Sequence, residues 1–274
     1  MKLYVNASDV AACVGMHRFR KKEEMVELYV AKLQKRGRKH KLRNTYDGLC
    51  RDDLAAICYA ANVPFDEQKP HEAAACAVRT LVSPAVSSIS SGEANSKLGS
   101  VEQKVSAAFK FCDGTTGHAG AELAVRVCRE ETRKTRGTKW EEASTNAYEN
   151  STQQCVQERN EKKYYLPVGG SSCILVGKID GLTIDKETGE RVLVETKFRS
   201  RRLFYQIPLY EKIQMEVYMR MVDCFQAQLN QCLDKQIKIL DYQRNNQLWS
   251  NVTNGLGVFT EEVQRRSNLL KTLN

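Results

Sequence analysis

The chain has 274 residues, 42% of them hydrophobic, and carries a formal net charge of +9, enough apolar material for one large domain or two small ones. No apolar run approaches the roughly 18 residues that a membrane span requires, and MKLYVNASDV lacks the apolar stretch of a signal peptide, so the expectation is a soluble intracellular protein with no membrane partner. The basic balance favours polyanions, with nucleic acid the usual one.

In chain order, VNASDVAACVGMHRFRKKEEMVELYVAKL reads as two short helices. Asn6 or Ser8 is placed to cap the first and Gly15 to end it. Met25, Leu28, Tyr29 and Leu33 form a helical stripe on the second. The basic run QKRGRKHKLR at 34–43 is either a solvated connector or an edge that contacts phosphate. LAAICYAAN and HEAAACAVRTL predict two helices broken near Pro64 and Pro70. Residues 83–99, rich in Ser and Gly, predict a flexible loop, and 100–112 and 119–150 return to helix. YYLPV, CILVGKID and RVLVETKF are strand candidates rich in β-branched and aromatic residues, the last two joined by a turn at ETGE. Pro208 opens a long helix through LYEKIQMEVYMRMVDCFQAQL, IKILDYQ is a further strand, and a last helix is expected over about 258–273. The order predicts an α/β or α+β fold: a largely helical N-terminal half, then a central mixed sheet flanked by helices.

The ten cysteines, Cys13, Cys50, Cys58, Cys76, Cys112, Cys128, Cys155, Cys173, Cys224 and Cys232, include no CxxC pair. Free thiols used as small core residues are expected, with a zinc or iron–sulfur site from separated cysteines as the alternative.

The stretch ILVGKIDGLTIDKETGERVLVETKF carries three polar groups that strand pairing does not need. Asp180 ends an apolar strand. Glu195 and Lys197, two apart on the next, share a face where a buried strand would want Val or Ile. Two carboxylates and a lysine at one end of a hairpin suit a hard divalent cation and an oriented water. The blander readings are a surface Glu195–Lys197 ion pair, a strand-ending turn at Asp180-Gly181, solvated helix charges at Glu141 and Glu142, and a core role for Tyr148. Beyond the strand, Arg199, Arg201 and Arg202 are candidates to grip phosphate, and Phe204 or Tyr205 either stacks on a base or belongs to the core.

Three motifs follow in order: RGTKWEEASTNAY with Glu141, GKIDG followed by VLVETK, and IQMEVYM with Gln214 and Tyr218 one helical turn apart. Together they resemble the PD-(D/E)xK nuclease superfamily, and within it the lambda exonuclease (YqaJ-type) viral recombinase branch related to the RecB nuclease domain. NASDVAACVGMHRFRKK resembles the opening of that branch. The resemblance covers 5–33 and 136–222, and it departs from the superfamily pattern where Ile179 stands before Asp180. It implies a restriction-endonuclease-like core within a single nuclease domain over 1–274. The catalytic core would span 136–243, with 34–130 as a helical elaboration. It further implies that Asp180 and Glu195 hold Mg2+ or Mn2+, with the Thr196 carbonyl and Glu141 as further oxygen donors. Lys197 would orient and help deprotonate the attacking water, the nearby cation lowering its pKa, and Gln214 and Tyr218 would steady the site. Ser8, Arg18 and Arg20 would bind a 5′-terminal phosphate.

The implied activity is a metal-dependent 5′→3′ exonuclease on duplex DNA ends, leaving 3′ single-stranded tails for recombination or repair. A viral source, a single-strand annealing protein as partner and a homo-oligomer are implied with it. A structure-selective or 3′→5′ nuclease and a non-catalytic DNA-binding relative are the alternatives.

Overall fold

The computed structural model describes residues 2–34, 46, 48–88, 90–112 and 117–272, so nearly all of the basic run at 34–43 lies outside the described residues. Leu3–Asn6 form β1, followed by a 3-10 turn over Ala7–Asp9, α1 (Val10–Cys13) and α2 (Lys22–Gln34). Then come α3 (Arg51–Ala60), α4 (Pro70–Ser87), α5 (Ser91–Cys112) and α6 (Gly117–Thr152). The C-terminal half holds β2 (Tyr164–Pro167), β3 (Cys173–Gly177), β4 (Gly181–Ile184), β5 (Arg191–Phe198), α7 (Leu209–Val222), β6 (Gln226–Leu233), β7 (Gln236–Gln243) and α8 (Asn246–Thr272). The chain divides into two compact units, one of 1–40, 144–232 and 236–274, the other of 41–143 and 233–235. The second unit has fifteen Lys or Arg against fifteen Asp or Glu, so the whole net charge of +9 resides in the first.

The first unit contains two mixed sheets. In one, β3 pairs in parallel with β1 and antiparallel with β2. In the other, ordered β4-β5-β6-β7, β5 is antiparallel to β4 and parallel to β6. β5 is buried on both faces from Val192 to Thr196. Leu193 joins the main core with Ile213, Met215 and Met219 of α7, whereas Val194 packs with Tyr148 and Val156. Side-chain alternation therefore turns Glu195 and Lys197 toward the α7 side. On α8, Val252, Leu256, Phe259 and Val263 form a fully buried stripe at helical spacing, and Phe259 meets Tyr29 of α2 edge-on at 5.6 Å between ring centres.

The second unit packs α3, α4, α5 and part of α6 around Leu54, Ile57, Ala77, Val78, Val105 and Val127. The loop expected over 83–99 is largely helix: α4 runs through Pro84 to Ser87, and α5 starts at Ser91. Burial of Val82, Ala85, Val86, Ala94 and Val101 outweighs the weak helix propensity of the Ser- and Gly-rich sequence. The Arg136 guanidinium donates to the Ala85 and Ser88 carbonyls, satisfying acceptors that the end of α4 leaves open.

Other boundaries also shift. The 3–6 segment is a strand, and the strand expected over CILVGKID ends at Gly177. The helix expected to reach QAQL stops at Val222, where Asp223 adopts a left-handed φ of 51°, and Gln226–Leu233 form β6. That strand was obscured by Asn230 and Gln231, fully buried polar residues whose side chains are hydrogen-bonded. α8 begins at Asn246, well before 258, because the Asn245 side chain accepts from Leu248 N–H at 2.8 Å. Asn6 precedes the first turn but makes no side-chain cap.

Among the described residues no disulfide forms, and Cys13, Cys58, Cys128, Cys173, Cys224 and Cys232 are buried free thiols. No described helix is long and apolar enough to cross a membrane. Leu193→Ala, which opens a cavity on the central strand, should cost about 2–5 kcal/mol in denaturant unfolding. An unchanged midpoint would contradict the placement of β5 in the core.

Candidate active site at the end of β5

Asp180 lies in the two-sheet junction, one step beyond the Gly181–Val194 pair, and so stands opposite Glu195. Its Oδ2 accepts from Thr196 N–H at 2.8 Å. Two glycines bracket it for steric reasons. A Cβ at Gly177 would sit 2.5 Å from the Tyr218 ring, and one at Gly181 would sit 2.2 Å from Val156. The GKIDG spacing thus admits a tyrosine from α7 on one side and the Val156 segment on the other.

Glu195 is 1% exposed. Its Oε1 accepts from Lys197 Nζ at 2.5 Å, while Oε2 is buried with no hydrogen-bond partner among the described residues. Burial, and then the charge of Asp180, push its pKa up to about 8 against the pull of Lys197. Asp180 is also raised, by burial, with Lys197 and Thr196 N–H opposing. Burial alone would lower the Lys197 pKa, but Glu195, Asp180 and Glu211 outweigh it and hold the group above its ordinary value. With these carboxylates ionised, Lys197 is an ammonium donor. The pair is thus no surface ion pair.

Gln214 and Tyr218 do share a face of α7, the Gln214 amide lying 3.4 Å from the tyrosine oxygen. Tyr218 is buried, and its pKa is raised by that burial and by Glu195. Tyr148 is a fully buried core residue facing the Gln154 and Gln228 amides. Glu141 stands on α6 in the second unit, and its part in the site rests on the resemblance alone.

The basic candidates separate into two groups. Arg199 makes a two-pronged ion pair with Glu211, both bonds 2.7 Å, and donates to Gln231 while covering Phe204. Arg20 donates to Asp9 at 2.7 Å and touches Met25 sulfur. Both are committed to structure. Arg18, Arg201 and Arg202 are exposed and line one cavity of about 1030 Å3 together with Phe198, the residue after Lys197. Ser8 is exposed on the 3-10 turn and does not line that cavity. Phe204 is a platform for Arg199 and Arg202, and Tyr205 is exposed beneath Lys238 at 3.6 Å.

Three supports escaped the sequence reading. Asp9 gathers Arg20, Asn6 and the Tyr29 hydroxyl, fixing the N-terminal turn. Glu211 and Gln231 anchor the segment after β5, Gln231 bonding Phe204 N–H and carbonyl as well. The one signal available was a charged residue three positions into a helix that follows an arginine-rich segment.

Among the described residues no three His, Cys, Asp or Glu side chains form a ready-made metal cage. The orphaned Glu195 Oε2 and the two acids with raised proton affinity nevertheless fit a hard cation, which would replace the missing partner.

No protein-family model matches the chain, and no curated protein does. Among solved structures, the fold aligns with an alkaline exonuclease (LHK-Exo) from Laribacter hongkongensis at a TM-score of 0.40 and 14% identity, over 71% of this chain and 90% of that one. LHK-Exo in complex with dAMP aligns at 0.38 and 13%, over 80% and 96%. A phage-related exonuclease from Haemophilus somnus 129PT aligns at 0.40 and 14%, over 82% and 96%.

Between about pH 4.5 and 8, folded Glu195 holds a proton that the unfolded chain has released, so the metal-free protein should lose stability as pH rises through that interval. Glu195→Gln should flatten the fall. Thermal melts in EDTA at stepped pH read it, and an equal slope in the variant would put the titrating group elsewhere.

Proposed function

We propose that the chain is a divalent-metal-dependent nuclease of the PD-(D/E)xK superfamily, lambda exonuclease branch, that digests DNA from duplex ends. The observation that carries this reading is Glu195: a buried carboxylate with one oxygen unpaired, set between Asp180 and Lys197 at the end of a central strand. A structural role alone gives no reason to bury it so, because an unsatisfied buried carboxylate oxygen is destabilising.

Asp180 and Glu195 would hold Mg2+ or Mn2+, with the Thr196 carbonyl as a further donor; a donor role for Glu141 rests on the resemblance alone. The chemistry that such a cation would supply, when bound, is neutralisation of the two carboxylates and Lewis-acid polarisation of the scissile phosphate. Lys197 donates a hydrogen bond that orients the attacking water or a phosphate oxygen, and its proton becomes easier to lose as the carboxylate charge beside it is neutralised. Gln214 and Tyr218 hold the α7 side of the site. Arg18, Arg201 and Arg202 grip backbone phosphates, contacts that position a strand without reading its sequence.

The finer parts of the proposal rest on the resemblance. They are 5′→3′ polarity, 3′ tails for recombination or repair, 5′-phosphate capture by Ser8 and Arg18, an annealing partner, a homo-oligomer and a viral source. A single nuclease domain elaborated by 34–130 is proposed on the same basis.

The test is digestion of linear duplex labelled at either end, with Mg2+ or EDTA, comparing 5′-phosphate with 5′-hydroxyl ends. Mg2+-dependent release from the 5′ end, faster with phosphate, is expected. Release from the 3′ end would keep the site and reverse the polarity, and no cleavage with any divalent metal would overturn the nuclease reading. Lys197→Ala should lower the rate by at least about 100-fold and leave DNA binding intact; near-normal cleavage would remove the lysine from the chemistry. The double variant Arg201→Ala, Arg202→Ala should weaken DNA binding and flatten its dependence on salt. A slope unchanged from wild type would place the phosphate contacts elsewhere.

A further inference from the structure

The cavity beside β5 contains more than arginines. His17, Phe19 and Tyr210 form an aromatic cluster in it, with ring centres 4.9 Å apart for His17–Tyr210, 6.2 Å for His17–Phe19 and 6.4 Å for Phe19–Tyr210. The cluster joins the segment between α1 and α2 to the first turn of α7. Phe19 is 73% exposed, although its backbone is pinned by an N–H donated to His17 Nδ1 at 3.1 Å. Tyr210 directly precedes Glu211, the buried partner of Arg199, in the first turn of α7. A large apolar ring held in place yet left open to solvent is poor for stability, but it is what a flat ligand needs. The arginines proposed to hold phosphate line the same cavity, and so does Phe198, the residue that follows Lys197 at the end of β5.

We propose that Phe19, backed by His17 and Tyr210, is a base-stacking subsite for an unpaired nucleotide of the strand being cut, while Arg201 and Arg202 hold its phosphate. This rests on the nuclease reading and adds the form of the substrate: the strand enters unstacked, one base lying on Phe19. Every base has a π-face, so the subsite tolerates any sequence. It favours a frayed or single-stranded end over a fully paired one, because the cost of unpairing has already been met.

The test uses the full chain with single-stranded oligonucleotides carrying 2-aminopurine at the terminal or at an internal position, with Ca2+ in place of Mg2+. In wild type the probe should be quenched at the terminal position. Phe19→Ala, a change at an exposed side chain, should abolish that quenching and weaken oligonucleotide binding about tenfold; Phe19→Trp should restore both. Separately, with Mg2+, Phe19→Ala should erase the wild-type preference for frayed over blunt ends. Quenching that survives Phe19→Ala, or that is equal at both positions, overturns the subsite. Cleavage without quenching also overturns it while keeping the nuclease; quenching without cleavage keeps the subsite and discards the nuclease.

Discussion

The burial of Glu195 on β5 is the constraint around which the candidate site is arranged. β5 lies between an antiparallel and a parallel neighbour and is covered on both faces, so a carboxylate there has little water to solvate it. Its charge is met in part by Lys197, and the remaining negative charge is shared with Asp180, whose place is held by Thr196 N–H. Burial raises the proton affinity of both acids, with the charge of Asp180 adding to it at Glu195, while the carboxylates' charge holds the lysine's proton against the effect of burial. A cation is the most economical relief of that imbalance.

The surroundings keep the imbalance in place rather than letting it relax. Tyr218 reaches the site across Gly177, and Gly181 lets the Val156 segment close against the start of β4. The segment leaving β5 is tied down by Arg199, Glu211 and Gln231. These buried polar residues hydrogen-bond to one another, which rigidifies the wall of the cavity. Charge count is therefore a poor guide to binding here. Of the six polar and basic residues singled out as DNA contacts, Arg20 and Arg199 are ion-paired to Asp9 and Glu211, Ser8 is exposed away from the cavity, and Arg18, Arg201 and Arg202 are exposed in the cavity that Arg199 also lines. The same economy holds at the scale of the chain, where the helical second unit is electrically balanced and the first carries the entire positive excess.

Much of this was readable in the residues. A helical stripe marked α2, helices were expected over α3 and the last turns of α8, and β-branched runs marked β3 and β5. The ETGE turn does lead into β5, but the strand before it is β4, Gly181–Ile184, and not the one expected over CILVGKID. Glu195 and Lys197 declared themselves by breaking an apolar strand at positions that share a face. The misplaced elements have a common cause: partners distant in sequence. β6 is a strand although Asn230 and Gln231 interrupt it, because Ser144 and Phe204 complete their hydrogen bonds. α4 and α5 are helices through Ser- and Gly-rich sequence because a shared core covers their apolar faces.

What the sequence determined by itself was local: the periods of its helices and strands, and the polar intrusion at Asp180, Glu195 and Lys197. Which of its arginines are free to meet a ligand and which are spent on carboxylates was decided by tertiary structure. An exposed Arg201 and a buried Arg199 differ only in the groups that folding brings beside them.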